Sequence, residues 1–375
     1  MVKLSLAISR ISESTEMHFI LFLIFFLRAR SNAMCCYGPN NRSVDWFVIY
    51  KIPQLKDSNN LVETGLAYIY MTSHVQKWVY PDVSINDKAT SMLWTTLSRL
   101  DSDKNYLFYN DEPPYVIGNP KPRGISKGVI GFTASGAFWL KHSVPHYPFV
   151  NIYDVPLSAA KTGHMFVCLS LKVDALDNLG RQFSNLNPNI YDSRISTSMK
   201  KSVPILYKSL NRLDLHRRPF INNEIFKTKK SVTVLSVAKS FKAKKELYSS
   251  VLTMYLKEHL YVEAFPTYGR RLEPRCYKKP RVANIQSVKI ENPRVTFMSM
   301  DDSSSWALTN STDSHWTCFG DLQQTDSHVQ VSGGAICLDN ENVHKNFQKL
   351  IVASLNCRHQ FYYTRGRSKE VVDGE

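Results

Sequence analysis

No two of the seven cysteines stand in C-x-x-C spacing, and no His-x-x-x-His pair accompanies a carboxylate on a helical pattern. That excludes the common zinc motifs. The chain has no G-x-x-x-x-G-K-[ST] loop and no Gly-x-Ser-x-Gly turn, which excludes the nucleotide P-loop and the serine-hydrolase elbow. A membrane-crossing run is missing too, since "MHFILFLIFFL" (17–27) is too short to span a bilayer. Acidic residues are scarce: 32 Asp and Glu oppose 47 Lys and Arg, a formal charge of +15. Such an excess favours polyanions through long-range attraction and counterion release, while solubility alone remains the plain alternative.

What is present begins with that apolar run and the "RARSNA" after it, where Ser31 and Ala33 are the small residues a signal peptidase needs. The expectation is a leader of residues 1–33 cleaved after Ala33. Arg28 and Arg30 leave an uncleaved anchor open, and Met17 competes with Met1 as the start. Cleavage removes four cations and two anions and lowers the charge to +13. All seven cysteines (35, 36, 168, 276, 318, 337 and 357) follow this leader and read as a disulfide framework of a secreted chain. The odd count leaves one thiol over, and the adjacent Cys35 and Cys36 are its natural place. The sequons at Asn41 and Asn310 fit the same route as glycosylation sites.

At 375 residues and 43% hydrophobic, the chain can bury one large core or two ordinary ones. Strands are expected over 44–52, 65–72, 106–109 and 165–173, with a hairpin over 128–141 turning at "TASG". Helical spacing predicts a helix over 87–100 capped by Asn86 or Asp87, a long amphipathic helix through Val237, Phe241, Leu247, Val251 and Tyr255, and a last helix over 341–354. The segment 208–232 is polar, basic and weakly periodic, and reads as a connection. "SGG" at 332–334 reads as a turn, not a phosphate cradle. A faint repeat sets Trp139 twelve residues after Lys127 and Trp316 eleven after Ser305.

Several stretches, in order over nearly the whole chain after the leader, carry a resemblance: "CYG" with "VDWFVIYKIP", "GLAYIY", "YNDEPP", "SKGVIGF…FWLKHSVPHYP", "LYSSVL" and "WTCFGDLQQ…GGAIC". Together they resemble the deoxyribonuclease II family. The resemblance implies a phospholipase D-like α/β fold: two similar mixed-sheet lobes packed as a pseudo-dimer, each giving a His-x-Lys motif to one site. The lobes would span 34–207 and 233–360, joined by 208–232 and followed by a basic flexible tail, 361–375. The family chemistry it implies is metal-independent acid cleavage of DNA, without cofactors. One histidine attacks phosphorus and the other protonates the leaving oxygen. Lysines stabilise the phosphate charge, and histidine protonation sets the acid optimum.

Laid on this sequence, the first motif falls on Ile125-Ser126-Lys127 and the second on Ser303-Ser304-Ser305, after Asp302 and before Trp306. Only Lys127 survives. Ile125 has neither lone pair nor transferable proton, Ser303 has no evident base, and Ser305 carries no charge. The family's His-Ser-x-Pro-Asn element becomes His142 to His146, and its Gly-Asp-x-Asn element becomes Gly320 to Gln323. His142 is the best candidate remnant, although a lone histidine at a strand end is more often structural. The resemblance also implies the pairs Cys36–Cys168, Cys276–Cys357 and Cys318–Cys337, leaving Cys35 for intermolecular pairing into a dimer. The expected function is thus a catalytically impaired, secreted or lysosomal member that binds DNA or another partner. The alternative is a still-active acid endonuclease using Lys127 and His142. Basic clusters at 227–230, 239–245 and 270–281 could track DNA or simply be solvated, with the last the better candidate.

Overall fold

The computed structural model describes residues 33–56, 58–100, 104–115, 123–211, 218–355 and 357. The expected leader, except Ala33, and the basic tail lie outside these residues. A short ribbon of β1 (Cys36–Gly38) and β2 (Arg42–Val44) precedes two large sheets. The first contains β3 (Trp46–Lys51), β4 (Tyr68–Thr72), β5 (Asn105–Asn110), β6 (Lys127–Thr133), β7 (Gly136–His142), β8 (His164–Leu171) and β9 (Ile190–Arg194). Their order is β4-β3-β8-β7-β6-β5-β9, antiparallel throughout. The second runs from β10 (Ile221–Lys227) through β11 (Thr233–Lys239), β12 (Leu260–Glu263), β13 (Val282–Ile290), β14 (Val295–Met298), β15 (Trp306–Thr309), β16 (Trp316–Gly320), β17 (Gly333–Asp339) and β18 (Ile351–Leu355). Its order is β10-β11-β17-β16-β15-β12-β13-β14, with β18 also on β13. Only β12 and β13 pair in parallel among its pairings, so "mixed" describes this sheet and not the first.

Alternation along the strands explains how both faces of a sheet become buried. In β3, Trp46, Val48 and Tyr50 enter a core shared by both sheets, while Phe47 and Ile49 enter a second core under α1 (Met92–Leu97). The shared core takes Val234, Ile285, Trp306, Leu308 and Ile336 from the second sheet. It also takes Leu179 and Phe183 of α2 (Leu176–Leu186) and Val343 and Phe347 of α3 (Glu341–Gln348). A third core lies against the outer face of the second sheet, where Leu235, Val237 and Cys318 meet Tyr248 and Val251. Among the described residues, no helix is long and apolar enough to cross a membrane.

Several local expectations differ from the structure. The long amphipathic helix is instead β11, a short helical turn over Phe241–Ala243 and a π-helical turn over Leu247–Leu252, followed by Thr253–Leu256. Residues of β11 face both cores, so their apolar spacing mimics a helix. Lys244 then stops any helix by adopting a φ of +48°. The helix expected over 87–100 starts at Met92 with Ser91 as its cap, because Asp87 spends its carboxylate on the Ala89 N–H, 2.9 Å away. The last helix ends at Gln348, and Ile351–Leu355 turns into a strand on β13. Segment 208–232 contains β10, and Gly333 of the expected "SGG" turn already begins β17.

The disulfides Cys36–Cys168, Cys276–Cys357 and Cys318–Cys337 are all formed. Cys35 is the free thiol, but it is buried, and burial pushes its thiol above the ordinary value. The structure therefore does not present it to a second chain, and a dimer through Cys35 finds no support.

Candidate functional site

The two sheets share a cavity of about 620 Å³ whose lining draws on both. Ile125, Lys127 and His142 come from the first half of the chain, and Ser303, Ser305 and Asp321 from the second. Ile125, Lys127, His142, Ser303 and Ser305 thus meet in one place, while Asp302, Ser304 and Trp306 are buried outside the lining. Main-chain bonds across the halves hold the motif positions there. The Ile125 N–H donates to the Ser332 carbonyl (2.9 Å), and the Ser303 N–H donates to the Gly163 carbonyl (3.0 Å). Each approach needs a glycine. A Cβ at Gly124 would lie 1.9 Å from the Leu186 carbonyl oxygen, and one at Gly163 would lie 2.5 Å from an Asp302 carboxylate oxygen.

The amine of Lys127 is not free to meet a phosphate. It donates to both carboxylate oxygens of Asp111, at 2.7 and 2.8 Å, and lies 3.2 Å from Glu112. Burial pulls its pKa down, but these two carboxylates outweigh that and raise it. Lys141 is likewise paired to Asp321 in a buried contact. Burial holds the Asp321 carboxyl above its usual range against the pull of that ammonium. Asp111, Glu112 and Asp321 therefore balance Lys127, Lys141 and the exposed Lys161 of the lining, so the cavity carries no excess positive charge.

His142 is fully enclosed. Its Nδ1 accepts the Val144 N–H at 3.2 Å, so the neutral ring carries its proton on Nε2, which is buried without a partner. Burial, then Lys127 and Lys141, holds its pKa well below the ordinary value. Three other imidazoles line this cavity: His146, which closes the His142 element, and two that were missed as site residues. His164 is fixed between Ser143 Oγ (3.0 Å) and Thr162 Oγ1 (3.1 Å), and burial with the charge of Lys51 keeps it neutral well below its usual range. His328 accepts the Gln323 N–H at 2.8 Å through Nδ1, and burial lowers its pKa too. No motif spacing marks either residue, so only the fold reveals them.

Two buried lysines position loops of the cavity wall. Lys51, ending β3, donates to the carbonyls of Ile52, Gly65 and Ala160 (2.9, 2.8 and 3.1 Å). Lys239, ending β11, donates to those of His328, Val329 and Val331 (3.0, 3.1 and 2.5 Å). Burial lowers their pKa values to about 7 and about 8. Asp302, beside the second motif, accepts hydrogen bonds from Tyr50 and from Ser304 Oγ (2.7 Å), tying the halves together behind the cavity. Asn41 and Asn310 are both exposed, far in character from this buried site.

Fold and site define a disulfide-framed α/β protein whose two sheets share one polar cleft. The family model for deoxyribonuclease II matches residues 35–357. The chain is similar to plancitoxin-1 of Acanthaster planci, 30% identical over 330 residues that cover 84% of this chain and 90% of that protein. It is 27% identical to deoxyribonuclease-2-beta of Homo sapiens over 349 residues, covering 90% and 96%. It is 28% identical to deoxyribonuclease-2-alpha of Rattus norvegicus over 346 residues, covering 90% and 98%. The chain belongs to the deoxyribonuclease II family. Its three disulfides suit the oxidising secretory pathway.

Proposed function

We propose that this chain binds DNA through its exposed cations without cleaving it efficiently at the shared cleft. The observation that carries the reading is the placement of Ile125, Ser303 and Ser305 in one cavity with a Lys127 already neutralised by Asp111 and Glu112. A nucleophile for phosphorus needs a lone pair and a leaving oxygen needs a proton; a hydrocarbon at 125 supplies neither. Removing one member of a cooperating catalytic group costs about 10⁴-fold or more in the serine-protease triads. Secretion or lysosomal delivery, glycans on Asn41 and Asn310, and lobes spanning 34–207 and 233–360 belong to the same reading.

A second reading has one observation in its favour: His142, His164 and His328 all line the cavity with Lys127. A surviving acid endonuclease would use Lys127 and His142. The Nε2 proton of His142 opposes it, because that atom offers phosphorus no lone pair, and burial with Lys127 and Lys141 lowers the ring's pKa, which disfavours the protonated form a general acid needs. Gel retardation and nicking of one supercoiled plasmid, both in acidic chelator buffer, separate the readings. Retarded but intact plasmid is expected. Nicking that disappears in His142→Ala would establish the second reading instead.

A further inference from the structure

Residues 266–281 run from the mouth of the cavity to the Cys276–Cys357 bridge. Tyr268 lines that mouth yet is 85% exposed. Its backbone is not loose. The Thr267 N–H donates to Gln323 Oε1 (3.0 Å), and Gln323 Nε2 donates back to Thr267 Oγ1 (2.9 Å). Gly269 takes a φ of +83°, open to glycine and strained for other residues. Arg271 donates to the carbonyls of Ile285 (2.6 Å) and Val262 (2.9 Å), and the Leu272 N–H donates to the Gln324 carbonyl (2.8 Å). A firmly anchored backbone thus holds an aromatic ring out in water at the entrance to a polar cleft.

Farther along the same segment, Tyr277 is 91% exposed, and Lys278, Lys279 and Arg281 are exposed around it. None of these three cations makes an ion pair among the described residues, and Glu273 is taken by Arg270 at 2.8 Å. Exposed aromatics interleaved with unpaired cations are the chemistry that grips single strands, where bases stack on rings and phosphates meet charge. A paired duplex hides its base faces from such a ring. The electroneutral cavity offers no comparable attraction, so the charge complementary to nucleic acid sits on this segment, where the Arg281 carbonyl accepts the Leu260 N–H (3.0 Å) at the end of β12 opposite the one that pairs Glu263 with Trp306.

We propose that residues 266–281 form a single-strand grip, with Tyr268 stacking on a nucleobase at the cleft mouth and Lys278, Lys279 and Arg281 meeting the backbone phosphates. The proposal rests on the DNA-binding reading above and names the form of DNA and the residues that take it. Fluorescence anisotropy with fluorescein-labelled oligothymidylate and a labelled duplex, over a salt series, tests it on the full chain. Tyr268→Ala should weaken oligothymidylate binding by about five- to hundredfold and duplex binding much less, while Tyr268→Phe keeps wild-type affinity. Replacing Lys278, Lys279 and Arg281 by alanine should flatten the logarithmic salt slope by about 2. Wild-type binding left unchanged by Tyr268→Ala, or a Tyr268→Phe variant as weak as the alanine one, would overturn the grip while leaving DNA binding intact. A wild-type chain that holds neither oligonucleotide would overturn both.

Discussion

At the scale of single residues, the account turns on which atoms carry protons. His142 and His164 are enclosed and kept neutral, His142 facing Lys127 and Lys141 and His164 facing Lys51, His142 and Lys127. In the unfolded chain each would titrate near its ordinary value of about 6.5. Their folded values are depressed, so the stability they contribute is present above about pH 6.5 and is lost as the pH falls toward the folded values. Raised carboxyls such as Glu263 and Asp321 act in the opposite direction, so the test is a difference: going from pH 7 to pH 5 should cost the wild type more in urea midpoint than it costs His142→Gln. Equal losses in the two proteins would mean that His142 charges freely in the folded state. Isoleucine at 125 and serine at 303 and 305 are read directly from the sequence, and that each replaces a catalytic group is part of the proposal. The counter-ions of Lys127 are not legible there, since a lysine's partners depend on which loops the fold brings beside it.

Among elements, most strands were legible because their apolar and β-branched runs are short and bounded by turn residues. The hairpin of β6 and β7 is the clearest, with Thr133 and Gly136 facing each other across the turn. Sequence failed where a segment is buried on two faces. In β11, Val234 and Ala238 meet the shared core and Leu235 and Val237 meet the outer one, so spacings of three and four arise without a helix. Burial on both faces also explains why Trp306, the first residue of β15, matters: it is fully buried, with its ring 5.1 Å from that of Phe347 on α3. Trp306→Ala should cost about 3–5 kcal/mol, read as a lower urea midpoint. A change under about 1 kcal/mol would show that the space between the sheets refills by collapse. Opening the Cys36–Cys168 bridge by replacing both cysteines with serine should cost about 2–4 kcal/mol, because it ties the β1 ribbon to β8.

The whole molecule joins two sheets through a shared apolar core and through contacts that converge on one cleft: Ile125 with Ser332, Ser303 with Gly163, Lys141 with Asp321 and Tyr50 with Asp302. These keep Ile125, Lys127, Ser303 and Ser305 around one cavity, which the proposed binding scaffold requires. A chain of charge +15 whose cleft is internally balanced should hold DNA by its outer cations, and retention should fall steeply as salt rises. Salt-independent retention would contradict that. The decisive measurement follows supercoiled plasmid in acidic chelator buffer with the wild-type chain beside a variant carrying Ile125→His, Ser303→His and Ser305→Lys, and an active relative as control. The account predicts intact plasmid with the wild type and relaxed plasmid with the variant; relaxation by the wild type at the rate of the active relative would contradict it.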